Sequence, residues 1–180
     1  MGISRLHGDK LMKSTISFIV ILFIWALASA SLAQTSRPLP VFPQSRQSAR
    51  PEETERAKKL YQLLRKENQA LLWNNCMATK ATSRARQLVN GRYFEHEDPK
   101  TGKNPVWNTV RECFSSTSRL SKIPAGENLA RGIDPTATPA DIHKALMESP
   151  THRKNILDRR FNRVGVGCYD RVCVELFAGI

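Results

Sequence analysis

Hydrophobic and polar positions divide the chain into an apolar N-terminal segment, a polar stretch with several prolines, and a longer region of helical and strand-like patterns. Residues 16–27 are apolar or small without interruption; Arg5, Lys10 and Lys13 precede them, and small residues at 28–33 follow. This order is typical of a secretory signal peptide with its cleavage site. We therefore predict that residues 1–33 are an export signal and that the mature protein is secreted, either extracellular or periplasmic.

The uncharged residues 15–33 also allow a second interpretation. Their length approaches the roughly 20 apolar residues that a membrane-spanning helix needs, so an uncleaved signal would anchor the protein in the membrane. The small residues at 28–33 favour cleavage, after which we expect no stable membrane insertion. Residues 34–51 contain four prolines among Ser, Gln and Arg, a composition that predicts a disordered lead-in. The folded domain is then expected at residues 52–180.

Two helices are predicted in the first part of this domain. The first follows Pro51, with leucines at helical spacing after a group of acidic residues. The second spans residues 75–90 and has an apolar face made of Met77, Ala81, Ala85, Leu88 and Val89. This assignment puts Arg84 on the polar face and expects Asn90-Gly91 to cap the helix. Residues 93–125 are expected to form a long irregular loop that Cys113 ties down.

The second half of the domain carries shorter patterns. Residues 126–132 alternate and are bounded by glycines, which indicates a strand or an irregular edge. Thr138-Pro139 and Ser149-Pro150 each predict a helix start, because a capping hydroxyl precedes a proline at the first helical position. Residues 164–168 and 172–177 alternate around Asp170-Arg171, and this predicts a terminal hairpin.

The four cysteines, Cys76, Cys113, Cys168 and Cys173, predict two disulfides, since an exported chain with an even number of cysteines usually pairs them. A two-residue turn at Asp170-Arg171 would place Cys168 directly opposite Cys173, close enough for a bridge. Cys76–Cys113 is then the second pair. A four-cysteine zinc site is the alternative, but the sequence lacks the paired C-x-x-C spacings that are usual for one.

Charge narrows the range of partners. The formal net charge is +12, from 28 Lys and Arg against 16 Asp and Glu, and only three of the basic residues lie in the export segment. Acidic residues are interleaved with the basic ones, and no basic stripe with aromatic residues is visible. This distribution favours loose attraction to a lipid surface or an anionic envelope polymer over nucleic-acid binding. We expect a single-domain monomer.

Histidines and one glutamate are the candidates for chemistry. His7 leaves with the signal, and the helical count puts His143 on the outer face of its helix. His152 falls in the first turn of a short helix, where the helix dipole favours the neutral imidazole that acts as a metal ligand or a base. His96 follows the second helix, and Glu127 lies in the strand-like segment, where a carboxylate is unusual. The ordinary alternative is two surface histidines and a surface glutamate.

Several short motifs, in this order, resemble the CAP superfamily of cysteine-rich secretory, antigen 5 and pathogenesis-related proteins, and in particular its compact bacterial SCP-like branch. They are Leu71-Leu72-Trp73-Asn74, Ala85-Arg86, Tyr93-Phe94-Glu95-His96 with Asp98-Pro99, Ala125-Gly126-Glu127-Asn128-Leu129-Ala130, Ser149-Pro150-Thr151-His152-Arg153-Lys154-Asn155-Ile156-Leu157, Val164-Gly165-Val166-Gly167 and Leu176-Phe177-Ala178-Gly179.

The resemblance implies an α+β fold, namely a three-layer α-β-α sandwich with a small antiparallel central sheet. It also implies an open cleft lined by His96, Glu127 and His152. Complete members add a second glutamate three residues after a helix tryptophan. Here Leu146 replaces that tryptophan and Ser149 replaces the glutamate, whereas the neighbouring Glu148 is turned by about 100° around the helix.

Two functions are consistent with these residues. The first is a secreted binding module whose cleft holds a divalent cation, zinc or another, through His96 and His152 and engages a lipid, an envelope polymer or a partner protein. The second is a metal-dependent hydrolase of peptides or cell-wall material. We assign no catalytic residue, because the sequence shows no Ser or Cys nucleophile paired with either histidine. The first function is therefore favoured.

Overall fold

The structure, a computed structural model, describes residues 49–116, 122–132, 134 and 136–180. The predicted export signal and nearly all of the predicted lead-in lie outside the described residues, so these two predictions are untested. Within the described part of the chain, no helix is long and apolar enough to cross a membrane.

The described residues form helices and short strands in mixed order. The helices are α1 (Pro51–Glu67), α2 (Asn75–Gly91), α3 (Val106–Cys113), α4 (Pro139–Glu148) and α5 (Pro150–Leu157). The strands are β1 (Leu72–Trp73), β2 (Ala125–Arg131), β3 (Arg163–Tyr169) and β4 (Val172–Ala178). Helix α4 begins as predicted, because the Thr138 side chain accepts from the Asp141 backbone N–H and the Asp141 carboxylate accepts from the Thr138 N–H.

The strands form one sheet in the order β1-β3-β4-β2. β2 and β3 each pair antiparallel with β4, which matches the predicted central sheet and terminal hairpin. The two-residue β1 pairs parallel with β3 and makes the sheet mixed. The expected α+β fold with a small central sheet is confirmed. The sheet was expected to be antiparallel throughout, and among the described strands only β1 departs from this by pairing parallel with β3.

Alternating side chains divide the core between the two faces of the sheet. On β4, Val174 and Leu176 pack toward α2 and α3, whereas Cys173 and Phe177 pack toward α1, α4 and α5. The three predicted layers are therefore α2 with α3, the sheet, and the group of α1, α4 and α5.

Two glycines of β3 let α2 lie directly on the sheet. A Cβ atom at Gly165 would overlap the backbone nitrogen of Ala78, and one at Gly167 would overlap that of Thr82. Both obstacles are helix backbone, which cannot move aside as the end of a flexible side chain can. The absence of side chains at these two positions therefore fixes how closely α2 packs.

Both predicted disulfides are confirmed. Cys168 and Cys173 are directly opposite in the β3–β4 ladder and are bridged, with a Cα–Cα distance of 4.1 Å. Cys76, at the start of α2, is bridged to Cys113, at the end of α3. The second bridge supplies the tie that was expected in residues 93–125.

Part of that loop is nevertheless helical, so the prediction of a long irregular segment was wrong there. Residues 106–113 form α3, in which Val106 and Val110 are buried one turn apart against α2 and β2. Two valines one turn apart in eight residues, beside a Trp107 that is exposed, are too weak a pattern to predict a helix. The disulfide to α2 and this packing stabilise α3 instead.

Two other details differ from prediction. α2 continues through Gly91, and the left-handed cap residue is Arg92, with φ of 55°. Gly91 instead makes room for the Tyr93 ring, since a Cβ there would lie 2.6 Å from Tyr93 Cε1. His143 is not on an outer face: it is buried, with Nε2 3.6 Å from Glu67 Oε1, because α4 packs against α1 along this side.

Candidate functional site

The structure brings His96 and Glu127 into direct contact. His96 follows α2, and Glu127 lies in β2 with its side chain buried on the α2 side of the sheet. His96 Nδ1 is 3.0 Å from Glu127 Oε1. Because an ionised carboxylate only accepts hydrogen bonds, Nδ1 is the protonated nitrogen in this pair. A neutral His96 therefore keeps its lone pair on Nε2.

Arg84 of α2 holds this pair in place. Its Nε lies 3.4 Å from Glu127 Oε2. Its Nη1 donates to the Tyr93 hydroxyl at 2.8 Å and to Gln87 Oε1 at 3.2 Å. Its Nη2 donates to the backbone oxygens of Glu95 at 2.7 Å and of His96 at 3.0 Å. Five bonds match the five N–H groups of a guanidinium, so this buried cation is fully satisfied and fixes the backbone that carries His96.

His152 lies in the first turn of α5, as predicted. Burial lowers the pKa of its imidazole below the ordinary 6.5, and the charge of His96 lowers it further. His152 therefore lies within electrostatic range of His96. A lowered pKa keeps His152 neutral at physiological pH, with a nitrogen lone pair available to a ligand.

An amide and carboxylate network attaches α5 to the sheet. Asn155 Nδ2 donates to Asn128 Oδ1 at 2.9 Å and to the backbone oxygen of Glu127 at 3.3 Å. Asn128 Nδ2 donates to the backbone oxygen of His152 at 3.3 Å and to Glu175 Oε2 at 3.0 Å. His152 is thus positioned from below by side chains of two strands.

Glu175 is the deepest member of this network. It is 1% exposed, in the middle of β4, and its Oε1 has no hydrogen-bond partner among the described residues. Burial raises the pKa of its carboxyl to about 7, and the Asn128 hydrogen bond only partly opposes this. A carboxyl group that is half protonated near neutral pH therefore lies beneath α5.

A small cavity of about 140 Å³ adjoins the buried side of the site. Glu127 and Arg84 form part of its wall, and the rest is lined by residues that include Lys80, Ser83, Gln87, Thr109 and Leu176. This volume suits a few water molecules rather than an organic ligand. His96 has 46% of its side chain exposed, so it is the member of the His96–Glu127 pair that a larger partner can reach.

Neither Glu148 nor Ser149 supplies the second carboxylate that complete family members have. Glu148 Oε1 lies 3.9 Å from Lys144 Nζ, and the Glu148 side chain is 67% exposed. Ser149 is the N-cap residue of α5, and its hydroxyl lies 3.3 Å from the Thr151 hydroxyl. Neither residue therefore adds a carboxylate beside His96, whose carboxylate partner among the described residues is Glu127.

Arg84 was missed as a site residue, although the sequence contains a signal for it. It lies seven residues after Met77, three after Ala81 and four before Leu88, which is the spacing of one helix face. A cation on the apolar face of a helix needs a buried partner. That requirement indicates a buried carboxylate on the side of the sheet that faces α2, and among the described residues Glu127 supplies it.

A model of the cysteine-rich secretory protein (CAP) family matches residues 56–171. The chain belongs to the CAP family. A relative, the uncharacterized protein YkwD of Bacillus subtilis (strain 168), is 34% identical over 91 residues, which is 51% of this chain and 32% of YkwD. The chain thus spans about a third of the length of this relative.

Solved structures support the CAP fold independently. An extracellular protein containing a SCP domain from Bacillus anthracis str. Ames has a TM-score of 0.58 at 22% identity, over 72% of this chain and 44% of that one. A cysteine-rich secretory protein from Staphylococcus aureus subsp. aureus Mu50 has a TM-score of 0.52 at 12% identity, over 72% and 40% of the two chains. At these identities the similarity shows the fold alone, so the function of this CAP domain must be argued from its own cleft.

Proposed function

We propose that this chain is an exported CAP binding module whose cleft takes a divalent cation through His96 and His152 and uses it to engage a partner. The contact that carries the proposal is the bond between His96 Nδ1 and Glu127 Oε1. Metal-binding histidines commonly donate their second N–H to a carboxylate, which orients the ring and raises its basicity. Glu127 has this supporting role, and Arg84 keeps it fixed.

The donor set favours a weak, exchangeable cation over a structural one. Both Glu127 oxygens are engaged, one by His96 and one by Arg84, and the described residues contain no cluster of three or more His, Cys, Asp and Glu groups suited to a metal. Two imidazoles fit zinc and similar ions but leave coordination positions for water or a partner. A carboxylate or phosphate of an envelope polymer or lipid is the natural ligand to complete them.

The same contacts argue against the hydrolase alternative. A metal-assisted hydrolase needs a general base beside the attacking water, and Glu127 is already paired with a buried guanidinium. All four cysteines are in disulfides, so none is a thiol nucleophile. Inactivity of the zinc-loaded protein on a panel of peptide, ester and peptidoglycan substrates is the expected result.

Export is supported by three observations. The apolar segment at residues 16–27 follows basic residues, both disulfides suit an oxidising compartment, and a structure with the same fold is described as an extracellular protein. The binding partner is therefore sought on or outside the cell envelope.

Calorimetric titration of the mature protein with zinc tests the cation site. We expect a micromolar dissociation constant that rises at least tenfold in His96→Ala and again in His152→Ala, because each variant removes one imidazole. His143→Ala is the matched control, since His143 is paired with Glu67 outside the cleft, and it should bind zinc as the wild type does. Absence of micromolar binding by any divalent cation, or unchanged binding in the double histidine variant, would contradict the proposal.

A further inference from the structure

A second pocket lies at the opposite end of the sheet from the His96–Glu127 pair. It has a volume of about 550 Å³ and lies between the end of α2, the end of β2 and the β3–β4 turn. Arg131 is paired with Val172 at this end of the ladder, and Glu127 is paired with Leu176. Four residues of strand separate the two places by roughly 13 Å. The pocket is therefore distinct from the cleft.

Three arginines surround an apolar floor in this pocket. Arg92, Arg131 and Arg171 line it together with Asp170, and Leu88 and Val172 are among the apolar residues beneath them. The Arg131 guanidinium lies 4.3 Å from the centre of the Phe94 ring, which restrains it without neutralising its charge. Arg92 extends from the left-handed residue that caps α2. Each arginine thus comes from a different element with a defined backbone.

The charge balance of the pocket is positive. Asp170 offsets one of the three guanidinium groups, and the C-terminal end of α2 contributes about half a negative charge. The remaining excess is roughly +1.5. At the rim, Arg56 Nη1 donates to the backbone oxygen of Asp170 at 2.6 Å and the Glu53 carboxylate accepts from the Asp170 N–H at 2.8 Å, so these two flanking charges oppose each other. A single carboxylate carries too little charge to balance this excess, whereas a phosphate monoester carries about −1.5 to −2 at neutral pH.

The volume of the pocket and its lining also favour a phosphate ester. A cavity of about 550 Å³ is in the range that holds a small organic ligand and is larger than a bare ion needs. Guanidinium groups match phosphate oxygens with paired N–H donors, and the apolar floor suits the carbon skeleton that carries the phosphate. We propose that the pocket lined by Arg92, Arg131 and Arg171 binds a phosphate monoester on a small organic body, such as a sugar phosphate or a lipid headgroup.

Glycerol 3-phosphate is the probe for this proposal, with D-glycerate as the carboxylate control. Titration followed by calorimetry should show binding of glycerol 3-phosphate that weakens with added salt, as expected for an ionic site. Glycerate should bind at least tenfold more weakly. No binding of glycerol 3-phosphate, or equal binding of the two probes, overturns the proposal.

Matched double variants locate the site. Arg92→Gln/Arg131→Gln should weaken glycerol 3-phosphate binding at least tenfold. Lys58→Gln/Lys59→Gln removes the same charge from exposed positions of α1 and should change binding less than twofold. Equal losses in the two double variants would mean attraction to net charge only and would overturn the proposal. Arg131→Lys keeps the charge without the paired donors and should give an intermediate loss, which guards against misfolding of the first variant.

Vesicles separate the two sources of the same phosphate chemistry. If the protein sediments with phosphatidylcholine vesicles that contain phosphatidic acid, but not with vesicles of phosphatidylcholine alone, the ligand is a lipid headgroup. If it binds only the soluble probe, the ligand is a soluble phosphate ester. In both cases Arg92→Gln/Arg131→Gln must abolish the effect, and vesicle binding that survives in this variant counts against the pocket. The variant should keep the zinc affinity of the wild type. The test of phosphate binding and the test of cation binding by His96 and His152 can therefore fail independently.

Discussion

Replacing Arg84 with methionine is expected to lower the free energy of unfolding by about 3–5 kcal/mol, because it leaves the buried Glu127 carboxylate without its cationic partner. The variant also removes the bonds to the backbone oxygens of residues 95 and 96, so the segment that carries His96 loses its anchor. We therefore expect loss of cleft binding even under conditions in which the variant stays folded.

Urea unfolding, followed by circular dichroism, measures this effect. Lys58→Met on α1 is the control, since it removes one exposed cation and should cost less than about 0.5 kcal/mol. The double variant Arg84→Met/Glu127→Gln should recover part of the loss because the unpaired charge is gone. A loss below about 1 kcal/mol in Arg84→Met would show that the guanidinium does not stabilise the buried carboxylate.

Replacing Glu175 with glutamine should stabilise the protein above neutral pH and make little difference in acid. Burial raises the pKa of Glu175 to about 7 in the folded state, against 4.5 as its ordinary value. As the pH rises between these values, the unfolded chain releases the proton while the folded chain keeps it, so the free energy of unfolding falls. The loss is complete above pH 7 and amounts to at most about 3 kcal/mol. Glutamine cannot ionise and escapes it.

Urea unfolding at several pH values between 4 and 8 checks this expectation. Glu53→Gln is the matched control, because Glu53 is equally buried but has a lowered pKa: hydrogen bonds from Arg50 and Asp170 outweigh the raising effect of burial. Glu53→Gln should therefore destabilise the protein by a nearly constant amount from pH 8 to about pH 5, and the difference should begin to shrink only as the pH falls below the ordinary carboxyl pKa of 4.5. A Glu175→Gln variant whose stability advantage is the same at pH 4 and pH 8 would contradict ionisation of Glu175 as the cause.

Local sequence signals explain why much of the fold could be predicted. Thr138-Pro139 marks a helix start by a capping hydroxyl and a proline, whereas Ser149-Pro150 marks one by the proline, since the Ser149 hydroxyl makes no capping hydrogen bond. Cys168 and Cys173 are separated by the length of a two-residue hairpin. Helix α3 escaped prediction because its stability comes from a disulfide to α2 and from two valines. Such long-range contacts leave little trace in an eight-residue window.

The site could be predicted only in part, for a related reason. His96, Glu127 and His152 were named through motifs that resemble a family, and spacing alone does not bring them together. Arg84 was assigned to the polar face because a cation is usually solvated, whereas here five acceptors from α2, from residues 93–96 and from β2 meet around it. Glu175 and Asn128 were not named as site residues either, since only the strand register places one beside the other.

The packing of α2 on Gly165 and Gly167 has a consequence for the timescale of motion. With no gap between helix and sheet, the amide hydrogens in the middle of α2 and β3 can exchange with solvent only when the two separate, which amounts to global unfolding. Arg84 lies on α2, and Glu127 lies on β2 in the same sheet. Helix α5 is short and is held by the buried Ile156 and by side-chain amides of Asn68, Asn128 and Asn155, so we expect it to separate from the sheet in a smaller fluctuation than α2 does. We therefore expect the amide hydrogens of α5, which carries His152, to exchange with solvent faster than those of α2, which carries Arg84.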